Sequence, residues 1–189
     1  MHWADFTAQT LSRRGNKHII ASGITPSGEF HIGHLREILT GDMVTKACID
    51  AGMDAEFVFI VDSADPLRKV YPFLSDEYGK YIGCPLAKIP APDKEGRPGN
   101  DGRSYAEHFL DPFLSALEQI GVKPRIIDNY NSYSNGEFAI RSKIACEKAD
   151  EIREIIERVS GRELPPDWFP FNPYGHNGSL DGVVVTGFE

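Results

Sequence analysis

The stretch GITPSGEFHIGH, residues 23–34, joins a short apolar run to a pattern with helical spacing, and this arrangement decides the fold class. Residues 18–22, which precede it, are mostly apolar and are followed by Gly23, as in a strand buried on both faces of a parallel sheet. Beyond it, apolar side chains recur every three or four positions, at Leu35, Ile38, Leu39, Met43, Val44 and Ala47. A loop between such a strand and such a helix lies where open α/β sheets bind ligands.

Two histidines in the pattern His-x-Gly-His, His31 and His34, make phosphate the expected ligand of this loop. Unpaired backbone N–H groups and the positive end of the helix dipole attract anions to a helix start. Gly33 permits close approach of the backbone to a ligand, Pro26 stiffens the loop, and both imidazoles can donate to phosphate oxygens. A lone histidine is more often a capping or surface residue, but two at one strand-to-helix turn favour a nucleotide site.

Two further runs predict strands of the same sheet. Residues 56–61 are β-branched and aromatic, and residues 125–128 follow the same pattern. The carboxyl ends of parallel strands meet at one edge, so the first of these runs delivers Asp62, Ser63 and Asp65 to the edge that carries the histidine loop. About three strands are recognisable, whereas a complete doubly wound domain has five or six. The expected fold is therefore an incomplete, Rossmann-like α/β sheet.

Capping-box patterns, in which Ser is followed three residues later by Glu, predict two long helices after the second strand. The pattern at residues 104–107 opens a helix that Gly121 ends, and Pro112 should kink this helix or shift its start. The pattern at residues 134–137 opens a second long helix that Gly161 ends.

The two ends of the chain add smaller elements. Residues 3–11 predict a short amphipathic helix that covers one edge of the domain. Residues 183–186 predict a strand, which a turn at residues 178–182 would pair in a hairpin. We therefore expect residues 1–164 to form the sheet domain and residues 165–189 to form a small, β-containing appended segment.

Composition indicates a cytoplasmic protein. The chain has 189 residues, 41% of them hydrophobic, and a formal net charge of -8, which argues against a protein that coats nucleic acid but leaves room for a local basic patch. Its three cysteines, Cys48, Cys84 and Cys146, are widely separated, so neither a disulfide framework nor a metal site is predicted. Neither a membrane-spanning run nor a signal peptide is recognisable.

The loop at residues 23–34 resembles the signature of class I lysyl-tRNA synthetases, in which Gly-Ile-Thr-Pro-Ser-Gly runs into the HIGH motif. Similar segments follow the family's order at residues 2–5, 62–70 and 104–109. The resemblance covers nearly the whole chain, as the amino-terminal part of a family member. Two features depart from the family: Ser63 stands where some relatives have a second consecutive Asp, and a Lys-Met-Ser-Lys-Ser type loop is absent.

The resemblance implies a lysine-tRNA ligase, which uses ATP, accompanied by Mg²⁺, to convert L-lysine into lysyl-adenylate and then transfers the lysyl group to tRNA(Lys). His31 and His34 would bind phosphate and stabilise the transition state. Gly23 and Thr25 would contact the amino acid. By placement alone, Asp62 or Asp65 is a candidate partner for the lysine side chain, although loop or capping roles explain both equally well. The ATP site would comprise Pro26, Ser27, Gly28, His31, Gly33 and His34.

By the same resemblance, a missing carboxyl-terminal half would supply the remaining strands, the second signature loop and the anticodon-reading domain. Residues 165–189 would begin the insertion between the halves, and tRNA would bind through the full-length enzyme. The half sheet should expose an apolar edge that requires a covering element or a partner.

Two alternatives remain open at this point. Small nucleotidyltransferases and pantothenate-synthetase-like adenylating enzymes also use His-x-Gly-His. A non-catalytic synthetase half that binds ATP, lysine or a partner chain would also explain the absent second loop.

Overall fold

Three parallel strands form the central sheet, in the order β1-β2-β3, in a computed structural model that describes residues 2–188. The strands span Lys17–Ile24 (β1), Asp54–Val61 (β2) and Arg125–Asp128 (β3). β2 pairs with both neighbours, and Val61 lies opposite both Ile24 and Asp128. All three carboxyl ends therefore meet at one edge, and the predicted α/β class with a partial parallel sheet is confirmed.

Helices connect the strands of this sheet. A 3₁₀ helix lies at Asp76–Tyr81, within the long connection from β2 to β3. The α-helices of the described residues are α1 (Trp3–Ser12), α2 (Ile32–Asp50), α3 (Tyr105–Gln119), α4 (Asn129–Ser134), α5 (Ala139–Glu147) and α6 (Ala149–Ser160).

β1 is not the doubly buried strand that the sequence predicts. It continues past Gly23 to Ile24, and it lies at the edge of the sheet with β2 as its neighbour. Helices α2 and α3 share a core with the sheet face that carries Ile20 and Phe57. On the opposite face of β1, Ile19 is 62% exposed. Because both helices pack on one face, burial of β1 alternates along the strand.

The predicted amino-terminal helix forms as α1 and packs on α2, where Ala8, Val44 and Cys48 share a small core. α2 in turn lies close against β2. A Cβ atom at Gly41 would lie only 2.4 Å from Cε2 of Phe57, so the missing side chain allows this approach. Close packing of α2 fixes the position of its amino terminus, which carries the two histidines.

The capping box at the start of α3 is confirmed. The Ser104 Oγ accepts a hydrogen bond from the Glu107 backbone N at 3.2 Å, and the Glu107 carboxylate accepts one from the Ser104 N at 2.8 Å. Pro112 lies inside the helix and does not shift its start.

The long helix expected from residues 134–137 onward is wrong. Ser134 ends α4, and α5 and α6 follow as separate helices. Gly136 adopts a left-handed conformation with φ of 76°, which a continuing α-helix does not allow. The Glu137 carboxylate accepts a hydrogen bond from Ser132 Oγ at 2.8 Å instead of capping a helix. The predicted end at Gly161 is confirmed, with φ of 67°.

A second core lies beneath the loop that follows β2. Tyr78 and Tyr105 are fully buried in it, together with Leu67, Leu86 and Ile89. The Tyr78 hydroxyl donates to the carbonyl of Pro90 at 2.7 Å. This core orders the segment between β2 and α3, which contains no regular strand. It also packs against Phe30 of the histidine loop.

The strand predicted at residues 183–186 does not form in the described part of the tail, so the expected β content of residues 165–189 is wrong as far as residue 188; Glu189 lies outside the described residues. A β-strand must pair with a neighbouring strand, but the tail makes isolated hydrogen bonds instead. The Leu180 backbone N, for example, donates to the carbonyl of Gly83 at 2.9 Å. The division at residue 164 stays a prediction. Within residues 2–188, every helix is too short or too polar to cross a bilayer.

Candidate active site

The two histidines form a reciprocal cap at the start of α2. The Nδ1 atom of His31, the N-cap residue, accepts a hydrogen bond from the Gly33 backbone N at 3.0 Å. The Nδ1 atom of His34 accepts one from the His31 backbone N, also at 3.0 Å. The ring centroids lie 4.0 Å apart. These bonds hold the two imidazoles side by side at the helix terminus.

This hydrogen bonding also assigns the ring protons. A neutral imidazole whose Nδ1 accepts a backbone N–H carries its own proton on Nε2, so both rings have an Nε2–H donor available for a ligand. Burial and the neighbouring His31 lower the pKa of His34 below its ordinary value, against the opposing effect of Glu37. The lowered pKa favours the neutral ring of His34, and the helix start presents hydrogen-bond donors to an anion.

Gly33 is needed for a reason that the sequence does not reveal. A Cβ atom there would lie 2.7 Å from Cε1 and 2.9 Å from Nδ1 of His31. Its φ is not in the left-handed region, so backbone conformation does not explain the glycine. The missing side chain leaves space for the capping ring of His31.

Aromatic residues support the preceding loop. The buried hydroxyl of Tyr105 donates to the carbonyl of Ser27 at 2.7 Å. Phe30 stacks on Phe113 with a centroid distance of 4.3 Å and contacts His34 at 5.1 Å. Pro26 is fully buried and supports the loop from within. The other predicted ATP-binding residues lie nearer the surface, and the nucleotide contacts of all six stay predictions.

The four predicted substrate residues come together at the ends of β1 and β2. Thr25 Oγ1 donates to Asp65 Oδ2 at 2.7 Å. Asp62 lies beside Gly23, since a Cβ atom on that glycine would be 3.5 Å from Asp62 Oδ2. Burial raises the pKa of Asp62 above its ordinary value, and the charge of Asp65 adds to this effect. The grouping agrees with the predicted strand ends, whereas a role in substrate binding stays a prediction.

Asn129 joins this group although the sequence analysis does not identify it. Its Nδ2 donates to Asp62 Oδ1 at 2.8 Å, and its Oδ1 accepts from the Ala64 backbone N at 2.8 Å. Both ends of the amide are thus used to orient Asp62. Its position directly after β3 could have identified Asn129 from the sequence, because β3 ends at the same edge of the sheet as β1 and β2.

Glu37 is a further carboxylate that the sequence analysis does not assign. It lies one turn into α2, and its Oε1 accepts a hydrogen bond from Ser22 Oγ at 2.8 Å. A hollow of about 430 Å³ along β1 is lined by Glu37 together with Gly33, Thr40 and Val44. Glu37 follows His34 by three residues, so both side chains lie near one face of α2.

We expect Asp62→Asn to raise the midpoint of thermal unfolding at pH 7. Because burial raises the pKa of Asp62 above 3.8, the folded protein holds this proton to higher pH than the unfolded chain, and the ionised carboxylate costs stability. The cost of ionising Asp62 grows as the pH rises from 3.8, the value of the unfolded chain, through the higher pKa of the folded protein. The higher melting midpoint of the variant should therefore disappear near pH 3, below the pKa of Asp62 in both states. Thermal melts between pH 3 and pH 7, with exposed Asp167→Asn as the control, measure it; a lower midpoint at pH 7 would contradict this account.

Comparison with known proteins places these features in one family. The family described as tRNA synthetases class I (K) matches residues 1–188. Lysine–tRNA ligase of Archaeoglobus fulgidus is 46% identical over 190 residues, covering 100% of this chain and 37% of that protein. The ligase of Methanosarcina barkeri is 44% identical over 100% of this chain and 34% of its own length. That of Methanocaldococcus jannaschii is 44% identical over 98% and 34%. The chain thus spans about a third of the length of these curated relatives.

Proposed function

Because the chain belongs to the class I tRNA synthetases (K), we propose that it supplies the ATP-activating site of a lysine-tRNA ligase. One observation carries this proposal: two imidazoles, each fixed by a backbone N–H that donates to Nδ1, leave their Nε2 atoms beside the amino terminus of α2 as donors. Such preorganised donors suit a reaction in which negative charge grows on phosphate oxygens.

In the proposed reaction, a carboxylate oxygen of L-lysine forms a bond to the α-phosphorus of ATP, and the bond from that phosphorus to the bridging oxygen of the β-phosphate breaks. Pyrophosphate leaves, and lysyl-adenylate remains. The lysyl group then passes to a hydroxyl of the terminal adenosine of tRNA(Lys), with AMP as the leaving group. No protein nucleophile is required. His31 and His34 position the phosphates in line and stabilise the charge of the transition state.

We propose that magnesium accompanies the nucleotide at this site. Within residues 2–188, no three His, Cys, Asp or Glu side chains are grouped as metal ligands. We therefore propose that Mg²⁺ is held mainly through phosphate oxygens, where it neutralises their charge.

For the amino acid, we propose that Gly23 and Thr25 line the site of its backbone groups and that a nearby carboxylate binds its side-chain ammonium. Asp62 is a suitable partner because a bound cation would favour its ionised form and so offset the cost of its burial. Asp65 and Glu37 are the competing carboxylates. Replacing each with its amide distinguishes them, because loss of the true partner should raise the KM for lysine most and leave the KM for ATP nearly unchanged.

The function can be tested in a hybrid enzyme in which this chain replaces the matching segment of the Archaeoglobus fulgidus ligase. The hybrid should catalyse lysine-dependent exchange of pyrophosphate into ATP, and the isolated chain should bind ATP. Exchange driven by pantoate or by another amino acid would overturn the proposed substrate. ATP binding without exchange in the hybrid would favour a non-catalytic role. Because tRNA charging serves translation, the proposal includes a cytoplasmic location.

A further inference from the structure

One buried side chain holds the histidine loop from inside the protein. Tyr105 is fully buried, and its hydroxyl donates to the carbonyl of Ser27 at 2.7 Å, across 78 positions of the chain. Burial raises the pKa of this hydroxyl, and the neighbouring Tyr71 and Tyr78 add to the effect, so the group stays protonated. The hydroxyl is therefore a lasting donor to the Ser27 carbonyl.

Tyr105 is itself held in place on several sides. It is the first residue of α3, and its backbone N donates to the carbonyl of Ile89 at 2.8 Å. Its ring packs against Phe109 with a centroid distance of 4.8 Å and meets Tyr78 edge to face at 6.0 Å. The hydroxyl therefore has one defined position, to which the loop is bound.

Fixing the carbonyl of Ser27 also fixes the N–H of Gly28. The peptide bond between them is planar and trans, so its C=O and N–H point in opposite directions. Because the carbonyl points to Tyr105, the N–H points away from that buried hydroxyl. Within residues 2–188, neither a backbone nor a side-chain acceptor binds this N–H. Backbone N–H groups are rarely left unpaired, so this one is available to water or a ligand.

The glycine at position 28 also indicates a ligand. A Cβ atom there would lie 3.5 Å from the Phe73 ring, which is an ordinary contact, and the φ of Gly28 is not left-handed. Neither crowding nor backbone conformation within the protein therefore requires a glycine. Close approach of the backbone to a bound molecule is the remaining physical reason for it.

We propose that Tyr105 is a positioning residue for ATP: its hydroxyl turns the Ser27–Gly28 peptide so that the Gly28 N–H donates to a phosphate oxygen of the nucleotide. The inference rests on the proposed function, since it requires ATP to bind at this loop. Without the hydroxyl, the Ser27 carbonyl loses its partner, and the freedom of glycine allows the peptide to rotate. The N–H would then no longer be aimed at the phosphate.

The test is Tyr105→Phe, which keeps the packed ring and removes only the donor. In the hybrid enzyme, this variant should raise the KM for ATP at least about fivefold and change both kcat and the KM for lysine by less than about twofold. A donor that binds the phosphate equally before and during the reaction affects KM and not kcat. An equal rise of both KM values, or an unchanged KM for ATP, would overturn the inference.

Tyr78→Phe is the matched control. Tyr78 is also fully buried in the second core, and its hydroxyl also donates to a carbonyl at 2.7 Å, but that carbonyl belongs to Pro90, outside the histidine loop. Both variants lose one buried hydrogen bond, so both should melt earlier, whereas only Tyr105→Phe should weaken ATP binding. If Tyr78→Phe raises the KM for ATP as much, the hydroxyl of Tyr105 serves stability alone.

A second measurement does not depend on how well the variant folds. In the unaltered, isotope-labelled chain, the amide resonance of Gly28 should shift when ATP is added, whereas that of Gly161, at the end of α6, should not. A Gly28 resonance that stays in place would overturn the inference. The two proposals fail separately: if lysine-dependent exchange holds but Tyr105→Phe binds ATP normally, the inference alone falls. If Tyr105→Phe weakens ATP binding but exchange follows another acid, the lysine assignment alone falls.

Discussion

Replacing both histidines, His31→Asn with His34→Asn, should lower lysine-dependent exchange by about 10²-fold or more while the melting temperature stays nearly constant. Loss of one preorganised donor to a developing oxyanion typically costs about 10²–10³ in rate, and this variant loses two Nε2–H donors. Asparagine is a favourable N-cap residue, and its amide oxygen can accept the Gly33 N–H that Nδ1 of His31 accepts now. The hybrid enzyme described above provides the rate, and calorimetry provides the melting temperature.

The control for this prediction is His31→Ala, which removes both the donor and the cap. Loss of a helix cap costs about 0.5–2 kcal/mol, so this variant should lose activity and also melt at a lower temperature. If the asparagine pair melts as early as the alanine variant, or if exchange survives in the pair, the histidines serve the helix and not the reaction.

Gly33→Ala should lower exchange by up to about 10²-fold while the stability of the protein is unchanged or slightly higher. The new Cβ would lie 2.7 Å from Cε1 of His31, so the ring must leave its present position. Misplacement of a reacting group by about 1 Å can cost 10²-fold in rate. Alanine favours a helix over glycine by about 1 kcal/mol, which opposes any cost of the displaced cap.

Gly79→Ala is a suitable control, because nothing lies within 4 Å of a Cβ atom placed there and its φ is not left-handed. It should leave exchange unchanged in the hybrid. The explanation given for Gly33 would be wrong if Gly33→Ala kept full activity, or if a fall in activity matched a fall in the free energy of unfolding.

The strand-to-helix loop and the meeting of the strand ends were predictable because they depend on local patterns and on the geometry of parallel sheets. Residues 125–128 form β3 with the predicted bounds, and Thr25 contacts Asp65 across the edge where both were expected. Two of the wrong predictions concern contacts at long range, whereas the helix expected from residues 134–137 fails locally, at the left-handed Gly136. Burial of β1 depends on which face the helices cover, and the strand expected at residues 183–186 lacks a partner among the described residues.

The sequence by itself determined the α/β class and the position of the histidine motif, because strand and turn preferences act over a few neighbouring residues, and the family was indicated by the resemblance of residues 23–34 and the segments that follow them. Only the tertiary structure decided how the site is arranged. It shows that the ring of His31 occupies the space that Gly33 leaves, that Asn129 orients Asp62, and that Tyr105 holds Ser27. The last two contacts join residues 67 and 78 positions apart, so packing of the whole chain decides them and local preference does not.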